Sequence, residues 1–178
     1  LSLQMKFFFF LFCIIVLGMA TLVFVNAKTV TRTMTDIEGQ SMSLLCQAMT
    51  KDITSTVKGN MKLLGQLGTM PLLRGALKGE QADQANALLA TMVKGMTGSD
   101  YANVFDLQGT SVASSNAPSV GKIKVPDRDY FQMVSRQNKT DVVSKAIISR
   151  TTGKAVIVLA QPVRDAAGAV VGVINTGM

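Results

Sequence analysis

The chain contains no histidine. That absence removes the commonest general base, the usual partner of a serine or cysteine nucleophile, and the commonest metal ligand. Cysteine is nearly as scarce. Cys13 lies in an apolar run and Cys46 in a helical pattern, so the two form neither a zinc knuckle nor a disulfide framework and read as small apolar residues. There is no nucleophile–base pair, metal cluster or glycine-rich phosphate loop; "TTGK" at 151–154 reads as a hairpin turn without the rest of a P-loop. The chain is therefore expected to be no enzyme and to carry no cofactor and no metal. The net charge is +7, yet Lys6, Lys28, Lys51, Lys58, Lys62, Lys78 and Lys94 are scattered. Nucleic-acid binding needs a concentrated basic patch, and no such partner is expected.

A length of 178 residues allows one well-buried domain with a helical extension. "FFFFLFCIIVLGMATLVFV", Phe7 to Val25, runs without a charge, and at about 1.5 Å per residue it matches the hydrocarbon thickness of a bilayer. It is read as an uncleaved transmembrane anchor, longer than the h-region of a secretory signal peptide. The alternative, cleavage after "VNA" at 25–27, would leave a secreted periplasmic binding protein. Lys28 and Arg32 after the span outnumber Lys6 before it, so the positive-inside rule alone would put the bulk of the chain in the cytoplasm.

From residue 26 to about 70, Val30, Met34, Ile37, Leu44, Ala48, Ile53, Val57, Met61 and Leu64 recur mostly at three- and four-residue steps. This spacing predicts a long amphipathic stalk helix, with bends possible at Gly39, Gly59 and Gly65. A plain core helix is the competing reading. Residues 71–98 bring a break at Pro71, Gly75 and Gly79 and then a shorter amphipathic helix.

The texture changes at Ser99. "YANVFDLQGTSVASS", "VVSKAIISRTTGKAVIVLAQPV" and "VRDAAGAVVGVIN" each read as strand, turn and strand. About five strands in residues 99–178 predict an α+β module: an antiparallel sheet with helices on one face and a loop-plus-helix cover on the other. The run Ala155 to Ala160 is apolar at alternating positions of both parities, so it is expected to be a central strand covered on both sides. The polar connection "NAPSVGKIKVPDRDYFQMVSRQNKTD" should hold a short helix beginning near Asp127 or Asp129, either of which has the chemistry of a cap.

This order of parts, with "VPDRDYF" and "LAQPVRDAAGAVVGVI" as its sharpest elements, resembles the double Cache fold, the PAS-like extracytoplasmic sensory region of bacterial methyl-accepting chemotaxis receptors. The resemblance covers nearly the whole chain. It implies a five-stranded PAS-like module, the membrane-distal one of two, with the second module beyond Met178. It also implies a periplasmic location from about Asn26 onward, an anchor in the inner membrane, and a homodimer packed along the stalk. Ligand binding would serve signal transduction in chemotaxis. Sensor histidine kinases and cyclic-dinucleotide enzymes use such input domains too.

The site implied lies around "DRDYF". Arg128 offers a planar guanidinium that can hold a carboxylate through two parallel hydrogen bonds, and Tyr130 and Phe131 sit at the family's positions for an aromatic wall. Asp129, Ser144 on the following strand and Asn175 on the last complete the candidate set. The amino-acid-binding members carry a tryptophan–tyrosine pair, further tyrosines and an aspartate for the ammonium; here Ile123, Phe131, Ser144 and Asn175 stand instead. The ligand expected is a small organic acid or an amino acid. A local ion pair of Arg128 with a neighbouring aspartate is the competing reading of that stretch.

Overall fold

The computed structural model describes residues 3–178; for residues 3–9, 11–15, 25, 27 and 29–39 the description is of the helical backbone alone. Nine of the nineteen positions of the expected span Phe7–Val25 are among these, so the span lies in part outside the described residues. Among the described residues no helix is long and apolar enough to cross a membrane.

The chain divides into two units, 1–52 and 53–178. The described residues of the first, from Leu3 on, belong to α1 (Leu3–Gly68). Here Leu44 of the expected stripe is exposed, together with its apolar neighbours Met42, Leu45 and Met49. Cys46 is exposed and unbonded.

The second unit begins with the last turns of α1, where Met61, Leu64 and Leu67 are buried. Then come α2 (Pro71–Leu77) and α3 (Ala82–Gly95). Proline at the start of α2 suits a helix N-terminus, since its missing N–H has no intrahelical partner there. Five antiparallel strands follow: β1 (Tyr101–Phe105), β2 (Ser111–Ser114), β3 (Val142–Ile148), β4 (Ala155–Arg164) and β5 (Val170–Gly177), in the spatial order β2-β1-β5-β4-β3. A 3₁₀ turn at Ala117–Ser119 and α4 (Asp129–Ser135) lie in the connection between β2 and β3.

Turn chemistry explains the hairpins. Asp106 Oδ1 accepts the Thr110 N–H at 2.8 Å, and Asp165 Oδ1 accepts the N–H groups of Ala167 and Ala169. Gly109 and Gly168 supply the positive φ of +80° and +86° that an L side chain resists. Gly109 meets a second demand, because a Cβ there would lie 2.8 Å from the backbone nitrogen of Pro126. The β1–β2 turn and the segment leading to α4 thus touch backbone to backbone.

The sheet is a partition between two apolar layers. On one face Leu64 and Leu67 of α1, Leu73 of α2 and Leu89 of α3 pack with Ala102, Val104, Leu159 and Ile174. On the other face Tyr130, Phe131 and Val134 of α4, with Ile123 and Val125, pack on Phe105, Val156, Val158 and Val173. This is the helix layer and loop-plus-helix cover that the strand pattern predicts.

Two local expectations are corrected. Residues 155–160 do open an interior strand, β4, between β5 and β3, but cover on both sides begins only at 158, and Ala155 and Ile157 are exposed. Leu159 is buried on the helix-layer face while Ile157, two residues earlier on that face, is 44% exposed, so the helix layer ends between them. Neither Asp127 nor Asp129 caps α4. Arg128 is the N-cap residue, with no side-chain hydrogen bond to the helix, and the Asp127 carboxylate is engaged elsewhere.

Candidate functional site

Strand alternation selects the residues that face α4. On β1, Ala102 and Val104 point into the helix-layer core, which turns Tyr101, Asn103 and Phe105 to the opposite face. On β5, Ile174 faces the helix layer and Val173 and Asn175 face α4. The β1–β5 pairing sets Asn103 opposite Asn175 and Tyr101 opposite Gly177. The Tyr101 ring lies directly over Gly177, where an added Cβ would stand 2.4 Å from its Cε1 atom. Two asparagines and a tyrosine thus form a polar floor on an otherwise apolar face.

Arg128 and Tyr130 at the start of α4, with Ser149, Arg150 and Thr151 from the β3–β4 turn, close a cavity of about 10 Å³ over that floor. This is room for about one water. Asn103 is fully engaged: its Nδ2 donates to Thr151 Oγ1 at 3.0 Å, and its Oδ1 accepts the Ser114 hydroxyl at 2.6 Å. Asn175 is not. Its Nδ2 donates to the Tyr130 hydroxyl at 3.3 Å, but its Oδ1 is buried with no partner, alone in this among the buried side-chain polar atoms of the described residues. An unpaired buried carbonyl costs about 1–3 kcal/mol, which calls for a physical reason.

The two phenols are held in their protonated form. Burial pushes both phenols above their ordinary pKa; the Ser149 hydroxyl and the Arg128 charge partly oppose this at Tyr101, and Arg128 and Asn175 partly oppose it at Tyr130. Arg128, half-buried, donates from Nη2 to the Ile148 carbonyl at 3.0 Å and carries no ion pair among the described residues. Its neighbour Asp127 is held instead by Arg150 in a two-pronged contact, Nη1–Oδ1 2.7 Å and Nη2–Oδ2 2.8 Å. Those hydrogen bonds, and then the backbone of Asp127 itself, hold its carboxyl below the usual carboxylate range. Arg150 also donates to the Lys124 carbonyl. The contact ties the segment before α4 to the β3–β4 turn and occupies both oxygens of the carboxylate next to Arg128.

A second cleft, of about 310 Å³, lies outside the first and is lined by Asp127, Asp129, Met133, Val143, Ser144 and Lys145. Arg128, Tyr130 and Ile147 line both and form the partition between them. A larger groove of about 630 Å³ runs between α2 and the β4–β5 turn, past Arg74, Lys78 and Asp165. None of its lining polar side chains is buried, so chemistry rather than volume favours the cavity under α4.

Of the six residues expected from the sequence, Arg128, Tyr130 and Asn175 meet at the inner cavity, and Asp129 and Ser144 line only the outer cleft. The Ser144 hydroxyl is occupied, donating to the Lys145 carbonyl at 2.6 Å and accepting the Val158 N–H at 2.9 Å across an irregularity between β3 and β4. Phe131 lines neither cavity. It is buried against Phe105 edge to face, with ring centroids 6.4 Å apart, and serves as core rather than wall. The sequence reading missed Tyr101, Asn103, Ser149, Arg150 and Thr151. An asparagine at a strand position flanked by apolar residues was the available signal for Asn103.

No protein-family model and no curated protein matches the sequence. Solved structures do resemble the fold. The ligand-binding domain of the Campylobacter jejuni chemoreceptor Tlp3, in complex with 4-methylisoleucine, is 14% identical with a TM-score of 0.61, over 74% of this chain and 53% of that one. The V. cholerae histidine kinase DctB sensor domain is 18% identical with a TM-score of 0.56, over 78% and 56%. The E. coli DcuS sensor domain is 17% identical with a TM-score of 0.55, over 70% and 89%. The chain spans about half the length of the Tlp3 and DctB domains and most of DcuS. The chain has the Cache, PAS-like fold shared by the extracellular sensor domains of chemoreceptors and histidine kinases.

Proposed function

We propose that this chain is the ligand-sensing part of a transmembrane signalling receptor, binding a small organic acid or amino acid outside the cytoplasm between β1, β5 and the start of α4. The observation that carries the reading is the convergence on one cavity of an arginine without an ion pair, two buried phenols and an unpartnered carbonyl. A carboxylate seated on Arg128 exchanges its hydration for a charge-assisted pair beside aromatic rings. The chain then binds and does not catalyse.

Signal transfer would follow from the two faces of β5. Asn175 faces the cavity and its neighbour Ile174 packs in the same core as Leu64 and Leu67 of α1. The end of α1 also approaches β4 so closely that a Cβ on Gly68 would lie 2.6 Å from the Pro162 carbonyl oxygen. A ligand that binds one arrangement of β5 better than another biases the packing of α1 by that difference in affinity. In this reading Phe7–Val25 anchors the chain in the inner membrane, and the exposed stripe Met42, Leu45 and Met49 is covered by a second copy.

A chemoreceptor is the assignment preferred here. The input domain of a sensor kinase is the second reading, favoured by the likeness to DctB, and the sequence downstream of Met178 separates the two. The binding claim is tested by calorimetric titration of the full chain with a panel of organic acids, amino acids and amines. The expected outcome is an anionic ligand whose binding is lost in Arg128→Ala; affinity unchanged by that substitution contradicts the site.

A further inference from the structure

The proposed binding site has a charge pattern that discriminates among small acids, and the inference that follows rests on that binding reading. The inner cavity is lined by two guanidinium groups, Arg128 and Arg150, and by no carboxylate. Of the two acids that flank Arg128 in the sequence, Asp127 is already paired with Arg150 and Asp129 lines the outer cleft, not the inner cavity. A ligand ammonium placed there would meet the Arg128 charge, which has no ion pair among the described residues, with one free amide carbonyl to compensate it, an unfavourable exchange for its hydration.

The cavity nevertheless asks for a donor. Asn175 is 1% exposed, its Nδ2 is turned to the Tyr130 hydroxyl, and the Oδ1 left over accepts nothing. A neutral hydroxyl meets this demand without adding positive charge. Beside the polar groups of Asn103, Ser149, Thr151 and the two phenols, the lining holds Phe105, Ile123, Val125 and Ile147, an apolar side that suits a short alkyl group. At about 10 Å³ the inner cavity admits a larger guest only if the Arg128–Tyr130–Ile147 partition yields toward the outer cleft, which restricts the guest to a few carbons.

We infer that the site selects a short 2-hydroxy carboxylate, with the carboxylate on Arg128 and the hydroxyl donating to Asn175 Oδ1. Four probes of three carbons isolate the C2 group: lactate carries a hydroxyl, propionate hydrogen, pyruvate a ketone, and alanine an ammonium. Titrated calorimetrically into the full chain, lactate is expected to bind roughly tenfold or more tightly than propionate or pyruvate, the scale of one buried hydrogen bond, and alanine most weakly. Asn175→Asp supplies the carboxylate the cavity lacks and is expected to shift the alanine-to-lactate affinity ratio roughly tenfold or more toward alanine. That ratio is read on one protein sample, so altered stability does not mimic it.

Propionate or pyruvate binding as tightly as lactate overturns the inference, as does alanine binding more tightly or an unmoved ratio in Asn175→Asp. If one of these other acids is preferred and depends on Arg128, the hydroxy-acid assignment falls and the sensor site stands. If none of the four binds, the hydroxy-acid assignment also falls, and the wider panel with Arg128→Ala decides the sensor site separately.

Discussion

Gly177 offers the sharpest test of how the cavity floor is built. It pairs with Tyr101 of β1 and Val158 of β4, and the Tyr101 ring covers its open face. In Gly177→Ala the new methyl carbon would lie 2.4 Å, 2.5 Å and 2.6 Å from Cε1, Cζ and Oη of that ring. Favourable contacts between such atoms need about 3.5–4.0 Å, so the ring must retreat by roughly 1 Å. Tyr101 is 4% exposed, and the space open to it is the cavity itself. Overpacking of this kind costs about 1–3 kcal/mol. Losing the conformational freedom of glycine in the unfolded chain returns about 0.4–1 kcal/mol, leaving a net loss of up to about 2.6 kcal/mol together with loss of ligand binding. Urea denaturation measures the first and calorimetry the second. Gly59→Ala is the matched control: nothing lies within 4 Å of its Cβ position on an exposed face of α1, and it should gain up to about 1 kcal/mol. A Gly177→Ala protein as stable as the parent, with ligand binding intact, would refute the packing of Tyr101 on Gly177.

Two further outcomes follow from the same packing. Phe131→Ala, which empties a position 1% exposed, should cost about 3–5 kcal/mol in urea denaturation; a loss under about 1 kcal/mol would return Phe131 to the ligand wall. The only two tyrosines in the chain, Tyr101 and Tyr130, both have folded-state pKa values raised above the ordinary 10.0. The unfolded chain therefore ionises first, so this stability contribution is complete below about pH 10 and is lost as pH rises toward the folded values. Tyrosinate absorbance of the folded protein should appear at higher pH than that of the unfolded chain. Two phenols titrating near pH 10 in a folded protein would place them in solvent.

Much of the architecture was legible because it rests on local chemistry. The Asp106–Gly109 and Asp165–Gly168 turns and the apolar runs that flank them each carry their own signal. What stayed hidden is long-range. Nothing local says that β5 inserts between β1 and β4, so the facing of Asn103 and Asn175 across that pairing has no sequence signature. For the same reason Arg150 went unrecognised. Its partner Asp127 is far away along the chain, and the adjacent Arg128 was the obvious rival for that carboxylate. Tyr130 and Phe131 show the limit of a motif: adjacency placed both near the site, but only the packing of Phe105 decides that Phe131 is core. The exposed beginning of β4 was misread because apolar content shows what is fit to be buried, not where a covering layer ends.

The central claim is that a small anion binds under α4, between Arg128 and the strand residues Tyr101 and Asn175. Because tyrosine occurs only at positions 101 and 130, and both line the cavity, a tyrosine-labelled sample reports on the site with two ring signals. Titration of the full chain with the tightest-binding acid should move both signals along one saturation curve, and Arg128→Ala should abolish both movements. Saturable binding that leaves both tyrosine signals in place would put the ligand elsewhere and contradict the account.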